Sequence, residues 1–337
     1  MAGIPRVTNI LIDRHHADLL ESMHILFEDR FGWTVFTPIG HEWWDEGYWS
    51  FGRSTWPDDR LAAQYLTMDP WTDCGGWYEC HDGAQPHRTL RGVTLAQARS
   101  MDWRAVMATV QDNQAGLARF ASEHGASYLL QVGNTGQQVD WRLDPLALMS
   151  SEVPRGGRHV RMHQPFDHTG TFRYREPEPS RQIASFLNNM PYIACWPVLE
   201  QYRLALSEFD WRVYGIAGEH GNLHPVSRIA DEMAASLFIW HDKAHGDGFG
   251  HIIHNAAAVG RPLIGHASHY DGRVPSHLWR DLETCIDLDR RSMAENVELI
   301  RAIASDPDRH RAMCEAIRAE FDTIDWEGEA QAIEALL

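Results

Sequence analysis

The sequence predicts an α/β protein made of two doubly wound domains. Three observations carry that prediction. The length of 337 residues is roughly twice the common domain size of about 150. A hydrophobic fraction of 44% is enough to bury sizeable cores. Short β-branched runs also alternate with stretches of helical periodicity in both halves of the chain. The expected division is 1–175, 176–310 and a C-terminal helix over 311–337.

The elements follow in order. Arg6 to Ile12 reads as a strand, and Ala17 to Arg30 as a helix carrying Leu19, Leu20, Met23, Leu26 and Phe27 on one face. Trp33 to Pro38 is a second strand after Gly32, which completes a βαβ opening. From Gly40 to Gly83 the periodicity is lost in a Gly-, Trp- and Asp-rich stretch, expected to be a long loop or insertion outside the sheet. Alternation resumes with a strand at Ala105 to Val110, a helix at Ala115 to Glu123 and a strand at Ser127 to Val132.

Between Arg155 and Arg181, six arginines face Asp167, Glu176 and Glu178, a local balance of +3 that ends at Pro177 and Pro179. A Pro-rich, charge-shifted segment in mid-chain marks a domain boundary. The second half repeats the rhythm: helix Glu200 to Glu208, strand Trp211 to Ile216, helix Val226 to Ala234, strand Ser236 to Trp240, a Gly-rich turn, a helix from about His251 and strand Pro262 to Ile264. After Arg290 the pattern is helical, and Ser292 with Glu295 has capping-box spacing.

The balance of 30 Lys and Arg against 47 Asp and Glu gives a formal charge of -17, which excludes a sequence-blind coat for nucleic acid. No apolar run is long enough to span a bilayer and no secretory h-region opens the chain, so a cytoplasmic protein without a membrane partner is expected. Cys74, Cys80, Cys195, Cys285 and Cys314 form an odd, scattered set that suits reduced thiols. The chain has 29 Arg and one Lys, Lys243.

That lysine opens the sharpest motif. Lys243-Ala-His-Gly-Asp247-Gly248-Phe249-Gly250-His251 leads from a strand into a helix bearing Asn255-Ala-Ala-Ala and ending in Gly260-Arg-Pro-Leu-Ile264. Glycines at a helix N-terminus, where backbone N–H groups and the positive dipole end meet, make an anion site. Six histidines crowd this region: His241, His245, His251, His254, His266 and His269. A metal is not expected, because the HxxxH pair His241 and His245 falls on a Gly-containing loop and no Cys or carboxylate completes a set at usual spacing.

The segment resembles the donor-binding signature of retaining GT-B-type glycosyltransferases: acid-Gly-Phe-Gly, a second acid eight positions on, then Gly-x-Pro-hydrophobic-Ile. In that family the first acid contacts the transferred sugar, the Gly-Phe-Gly backbone faces the diphosphate, and the second acid holds the ribose. Here Asp247 stands for a longer Glu and Asn255 has lost the charge, though Asn still hydrogen-bonds a hydroxyl. His159 to Pro177, with Pro-Phe-Asp167 and Phe172-Arg173, is similar to the last strand and hinge of the family's first domain.

The resemblance implies a GT-B fold, two Rossmann-like domains facing a cleft. It assigns Lys243, Asp247, Gly248, Phe249, Gly250, His251 and Asn255 to a nucleotide-sugar donor such as a UDP-sugar. It further implies retention at the anomeric carbon and no essential metal or other cofactor. In the first domain, strand-end loops carry the expected catalytic groups Asp13 and His15, and Asp112, which would orient or deprotonate an acceptor hydroxyl. His16, Trp43, Trp44 and Glu46 are expected to bind the acceptor, the tryptophans by stacking on a sugar or base and Glu46 by accepting hydrogen bonds.

A faint similarity to phage-encoded glycosyltransferases points to a 5-hydroxymethylpyrimidine in DNA as acceptor, with the chain in the host cytoplasm and the Arg155 to Arg181 stretch on phosphates. The alternatives are a nucleotide-sugar epimerase or hydrolase of the same fold, a non-catalytic nucleotide-sugar-binding protein, and a metal-dependent hydrolase built on the histidines.

Overall fold

The computed structural model describes residues 8–14, 17–51, 65–81, 88–134, 136–151, 156–192 and 195–337. The chain divides into two compact units, Met1–Phe166 with Trp326–Leu337, and Asp167–Asp325.

The strands of unit 1 are β1 (Asn9–Ile12), β2 (Thr34–Pro38), β3 (Thr72–Asp73), β4 (Tyr78–His81), β5 (Thr89–Val93), β6 (Ala105–Ala108), β7 (Ser127–Val132), β8 (Leu146–Met149) and β9 (Arg158–Arg161). They form one sheet in the order β3-β4-β5-β2-β1-β6-β7-β8-β9. All pairings from β5 to β9 are parallel, while β4 pairs antiparallel with β3 and β5. Alternation along each strand feeds two apolar layers. Leu11, Val106 and Ala108 enter one core cluster, and Ile10, Ile12, Ala105 and Met107 enter the other. Ala330 and Ile333 of the helix Trp326–Glu334 pack into the second cluster, so the last helix of the chain covers a face of the first sheet.

Two expectations are corrected here. The stretch Gly40 to Gly83 is not wholly outside the sheet: β3 and β4 extend its edge, because Trp71, Leu20, Ile39 and Leu90 bury one another there with Tyr78 packed against them. The tryptophans expected as a stacking platform are core. Trp43 is fully buried and Trp44 is 9% exposed, in a cluster with Tyr48, Trp49, Trp103 and Phe120. Trp43 Nε1 donates to the Val93 carbonyl at 3.1 Å, which gives its one polar atom a partner inside the protein.

Unit 2 holds β10 (Gln182–Ser185), β11 (Asp210–Val213), β12 (Phe238–Trp240), β13 (Leu263–Gly265) and β14 (Cys285–Asp287), all parallel, in the order β11-β10-β12-β13-β14. Its core joins Ile183, Phe238, Trp240, Ile264 and Ile286 to Leu199, Val297, Ile300 and Met313 from helices. The Ser292–Glu295 capping box forms as expected and starts the helix Met293–Ala304. Where one terminal helix was expected over 311–337, there are two, Pro307–Phe321 and Trp326–Glu334.

Candidate active site

In a doubly wound sheet, ligands bind beyond the carboxyl ends of the strands, where the strand order reverses. In unit 2 that point lies between β10 and β12. β12 ends at Trp240, and the chain runs through His241 to Gly250 into the helix His251–Val259. Gly250 adopts φ +75° and ψ +63°, a left-handed turn that favours glycine. Gly246, at φ +61°, passes so close to the His269 carbonyl that a Cβ would stand 2.2 Å from it. The loop is thus folded against the turn that follows β13.

This folding gathers charge on Asp247. Its carboxylate meets His241 Nε2 at 2.6 Å and pairs with the Lys243 ammonium, while Arg273 donates to its backbone carbonyl at 3.3 Å. Burial works to raise the Asp247 pKa, but His241 and then Lys243 overcome it and hold the carboxyl well below the usual carboxylate range. A fixed negative charge and a cation therefore stand at the mouth of a helix whose first N–H groups have no intrahelical partner.

Phe249 is 2% exposed and stacks on His254, with centroids 4.0 Å apart, so it anchors the loop to the helix. Gly248 and Gly250 are buried, and His251 is half-buried at the first turn. Asn255 is 9% exposed and its Oδ1 is buried with no hydrogen-bond partner among the described residues, an acceptor in want of a donor.

A second buried carboxylate lies beside this loop. Asp242 is fully buried, with His266 Nδ1 at 3.0 Å and His269 Nδ1 at 2.9 Å from its oxygens. Cys195, at the N-terminus of the helix Trp196–Ala205, completes the group. Burial opposes ionisation of Asp242, but His266, His269 and Cys195 hold its pKa below the ordinary value. Burial and the adjacent Asp242 push the Cys195 thiol up to about 12. Sequence spacing missed Asp242 and Cys195. The signal for Asp242 was its place beside His241 at a strand end, whereas nothing local marks Cys195.

In unit 1 the strand order reverses between β1 and β6. Asp13 sits there, 1% exposed, accepting from the Thr109 N–H at 2.6 Å and from Asn113 Nδ2 at 2.8 Å. Burial raises its pKa to about 6 against those hydrogen bonds. Both its oxygens are engaged, so Asp13 ties the ends of β1 and β6 together. Asp112 is exposed on the following turn. Glu46 is exposed, bound by Arg99. His15 and His16 lie outside the described residues. The residues singled out in unit 2 thus share one loop and the start of one helix, whereas of the described ones in unit 1, Asp13, Trp43 and Trp44 are buried and Asp112 and Glu46 are exposed.

A cavity of about 580 Å³ lined by Arg181, Phe209, Leu237, Arg301 and His310 lies at the amino ends of β10, β11 and β12, opposite Asp247. Position speaks against it as the reaction site, since ligands of such sheets gather at the carboxyl ends.

Among solved structures, the chain is similar to a sucrose-phosphate synthase from Thermosynechococcus elongatus (TM-score 0.66, 12% identity, 98% of each chain covered). It is also similar to HepE from Anabaena, solved with UDP and glucose (TM-score 0.62, 11% identity, 98% of this chain and 99% of that one). The chain has the GT-B fold. An α-glucosyltransferase solved with UDP-glucose and DNA containing an abasic site matches the same GT-B architecture over 97% of this chain and 98% of its own (TM-score 0.59, 8% identity). No protein-family model and no curated protein sequence matches the chain. Among the described residues, no helix is long and apolar enough to cross a membrane.

Proposed function

We propose that the chain is a glycosyltransferase that takes a sugar from a nucleotide donor, such as a UDP-sugar, held in unit 2. The observation that carries the reading is Asp247, kept ionised by His241 and Lys243 at the start of the helix His251–Val259 in a GT-B fold. The donor diphosphate lies against the first N–H groups of that helix. As the bond from the anomeric carbon to the diphosphate breaks and the bond to the acceptor oxygen forms, the Lys243 ammonium offsets charge developing on the leaving group. The acceptor proton departs with the diphosphate. Asp247 accepts hydrogen bonds from the transferred sugar, and Asn255 Oδ1 accepts one from a ribose hydroxyl. Retention at the anomeric carbon, and transfer without an essential metal, rest on the sequence resemblance.

The proposed acceptor is a hydroxymethylated pyrimidine in DNA. It is supported by the α-glucosyltransferase neighbour solved with DNA and by Arg158 and Arg161, exposed on the edge strand β9. Arg175 is committed to Asp231 and Arg181 lies over Phe209, so the basic stretch offers fewer free cations than its sequence implies. Arg155 lies outside the described residues.

A panel of nucleotide sugars tested by thermal shift identifies the donor, since a ligand at 100 times its Kd adds about 2.7 kcal/mol. The matching donor, incubated with hydroxymethylcytosine or hydroxymethyluracil DNA, should give nucleosides heavier by one sugar. Donor cleavage without any acceptor product favours the hydrolase or epimerase, and binding without turnover favours a binding protein. A glycosylated non-DNA acceptor keeps the transferase and removes DNA.

A further inference from the structure

We propose that Cys195, Asp242 and His269 form a zinc site at the carboxyl ends of the second sheet, with His266 bracing the Asp242 carboxylate. Cys195 Sγ, an Asp242 oxygen and His269 Nδ1 lie within 4.8 Å of one another, and Cys195 and Asp242 are both more than nine-tenths buried. Tetrahedral zinc with Zn–S of about 2.3 Å and Zn–N of about 2.0 Å sets its ligands roughly 3.3 to 3.6 Å apart, so the Asp242–His269 pair, now at 2.9 Å, opens slightly as an ion enters, while the group as a whole already lies within 4.8 Å.

The directions of the groups distinguish a metal site from an ordinary buried ion pair. His266 Nδ1 and His269 Nδ1 approach the Asp242 oxygens to 3.0 and 2.9 Å, close enough for hydrogen bonds. Both Asp242 oxygens and both ring nitrogens are buried, and the ring N–H directions make poorly aligned contacts with the carboxylate. The groups are near one another without aiming at one another, as ligands around a shared cation are. A cysteine that releases its thiol proton to solvent as the ion binds, a carboxylate and an imidazole are a donor set suited to zinc.

The surroundings support a built site. The turn carrying His266 and His269 is pinned by the Ala267 N–H to Asp287 at 3.1 Å and the Ser268 N–H to Asp289 at 2.9 Å. Two further carboxylates thus stand behind the cluster and favour a cation there. The histidine side chains are about one quarter exposed (24% and 23%), which gives an ion a path in. Once bound, the ion joins the segments following β10, β12 and β13, and Gly246 carries that restraint into the Asp247 loop.

The test reads binding, so it is independent of whether transfer is observed. The full chain, stripped with chelator and freed of it, is titrated with Co²⁺ and then with Zn²⁺ in competition. One equivalent should bind, with thiolate-to-cobalt charge-transfer absorption. Cys195→Ser should remove that absorption, and His269→Ala should weaken zinc by 10- to 100-fold, whereas His159→Ala on β9 should change neither. X-ray absorption on the zinc-loaded wild type, which needs no variant to fold, should show one sulfur near 2.3 Å. No stoichiometric binding, a shell without sulfur, or undiminished binding in folded Cys195→Ser and His269→Ala would overturn the proposal.

Discussion

Asp13 in unit 1 and Asp247 in unit 2 are aspartates beyond the carboxyl ends of strands that flank the reversal of order in each sheet, Asp13 directly after β1 and Asp247 in the loop after β12. Their pKa values move in opposite directions. Asp13 is met by neutral donors, the Thr109 N–H and the Asn113 amide, and burial raises its pKa to about 6. Asp247 is met by an imidazole and the only lysine of the chain, and stays ionised far below neutrality. Burial costs both carboxylates, but only a charged partner outweighs it. Unit 1 thus spends its strand-end polar groups on holding the chain together, and unit 2 keeps charge at the sheet edge. Substitutions in the first should cost stability, and those in the second turnover.

The largest effect is expected in unit 1. Trp43→Ala removes a fully buried ring and should cost about 3 to 5 kcal/mol in urea unfolding. A loss near zero would return Trp43 to an exposed acceptor surface.

In unit 2, Lys243→Ala and Asp247→Asn should each lower kcat by about 10²- to 10³-fold, roughly 2.7 to 4 kcal/mol in the barrier, with the melting temperature little changed. Steady-state release of nucleoside diphosphate is the readout, and near-normal turnover in both would remove unit 2 as the donor site.

The pH dependence of stability tests Asp13 directly. Its folded pKa is raised, so its contribution is fully present below the ordinary value of 3.8 and lost as pH rises through about 6. The difference between wild type and Asp13→Asn should therefore fall by on the order of 3 kcal/mol between pH 4 and pH 7. A flat difference across that window would mean that Asp13 keeps an ordinary pKa.

The smallest effect sharpens the donor geometry. Asn255→Ala should raise the donor KM roughly three- to tenfold at constant kcat, because a ribose contact is shared by ground and transition states. A fall in kcat at constant KM would place Asn255 at the reacting centre instead.

The sequence alone determined what depends on near neighbours along the chain. Apolar periodicity set the α/β alternation, including β7 at its observed bounds, and the Ser292–Glu295 box marked a helix start. The run from Lys243 to Asn255 is contiguous, so its motif and its place before a helix were legible in advance. Tertiary structure decided what depends on strand order. β10 and β12 are neighbours in the sheet although β11 lies between them in the chain, and that pairing brings Cys195 to Asp242. The burial of Trp43 and Trp44 was likewise undecided locally, because their acidic flanks Glu42, Asp45 and Glu46 read as a solvent-facing loop. Phe120, Trp103 and Val93 supply the apolar wall, and they arrive from distant segments. Local pattern fixes which elements form, while the meeting of polar groups across a sheet follows from long-range packing that no short window of sequence contains.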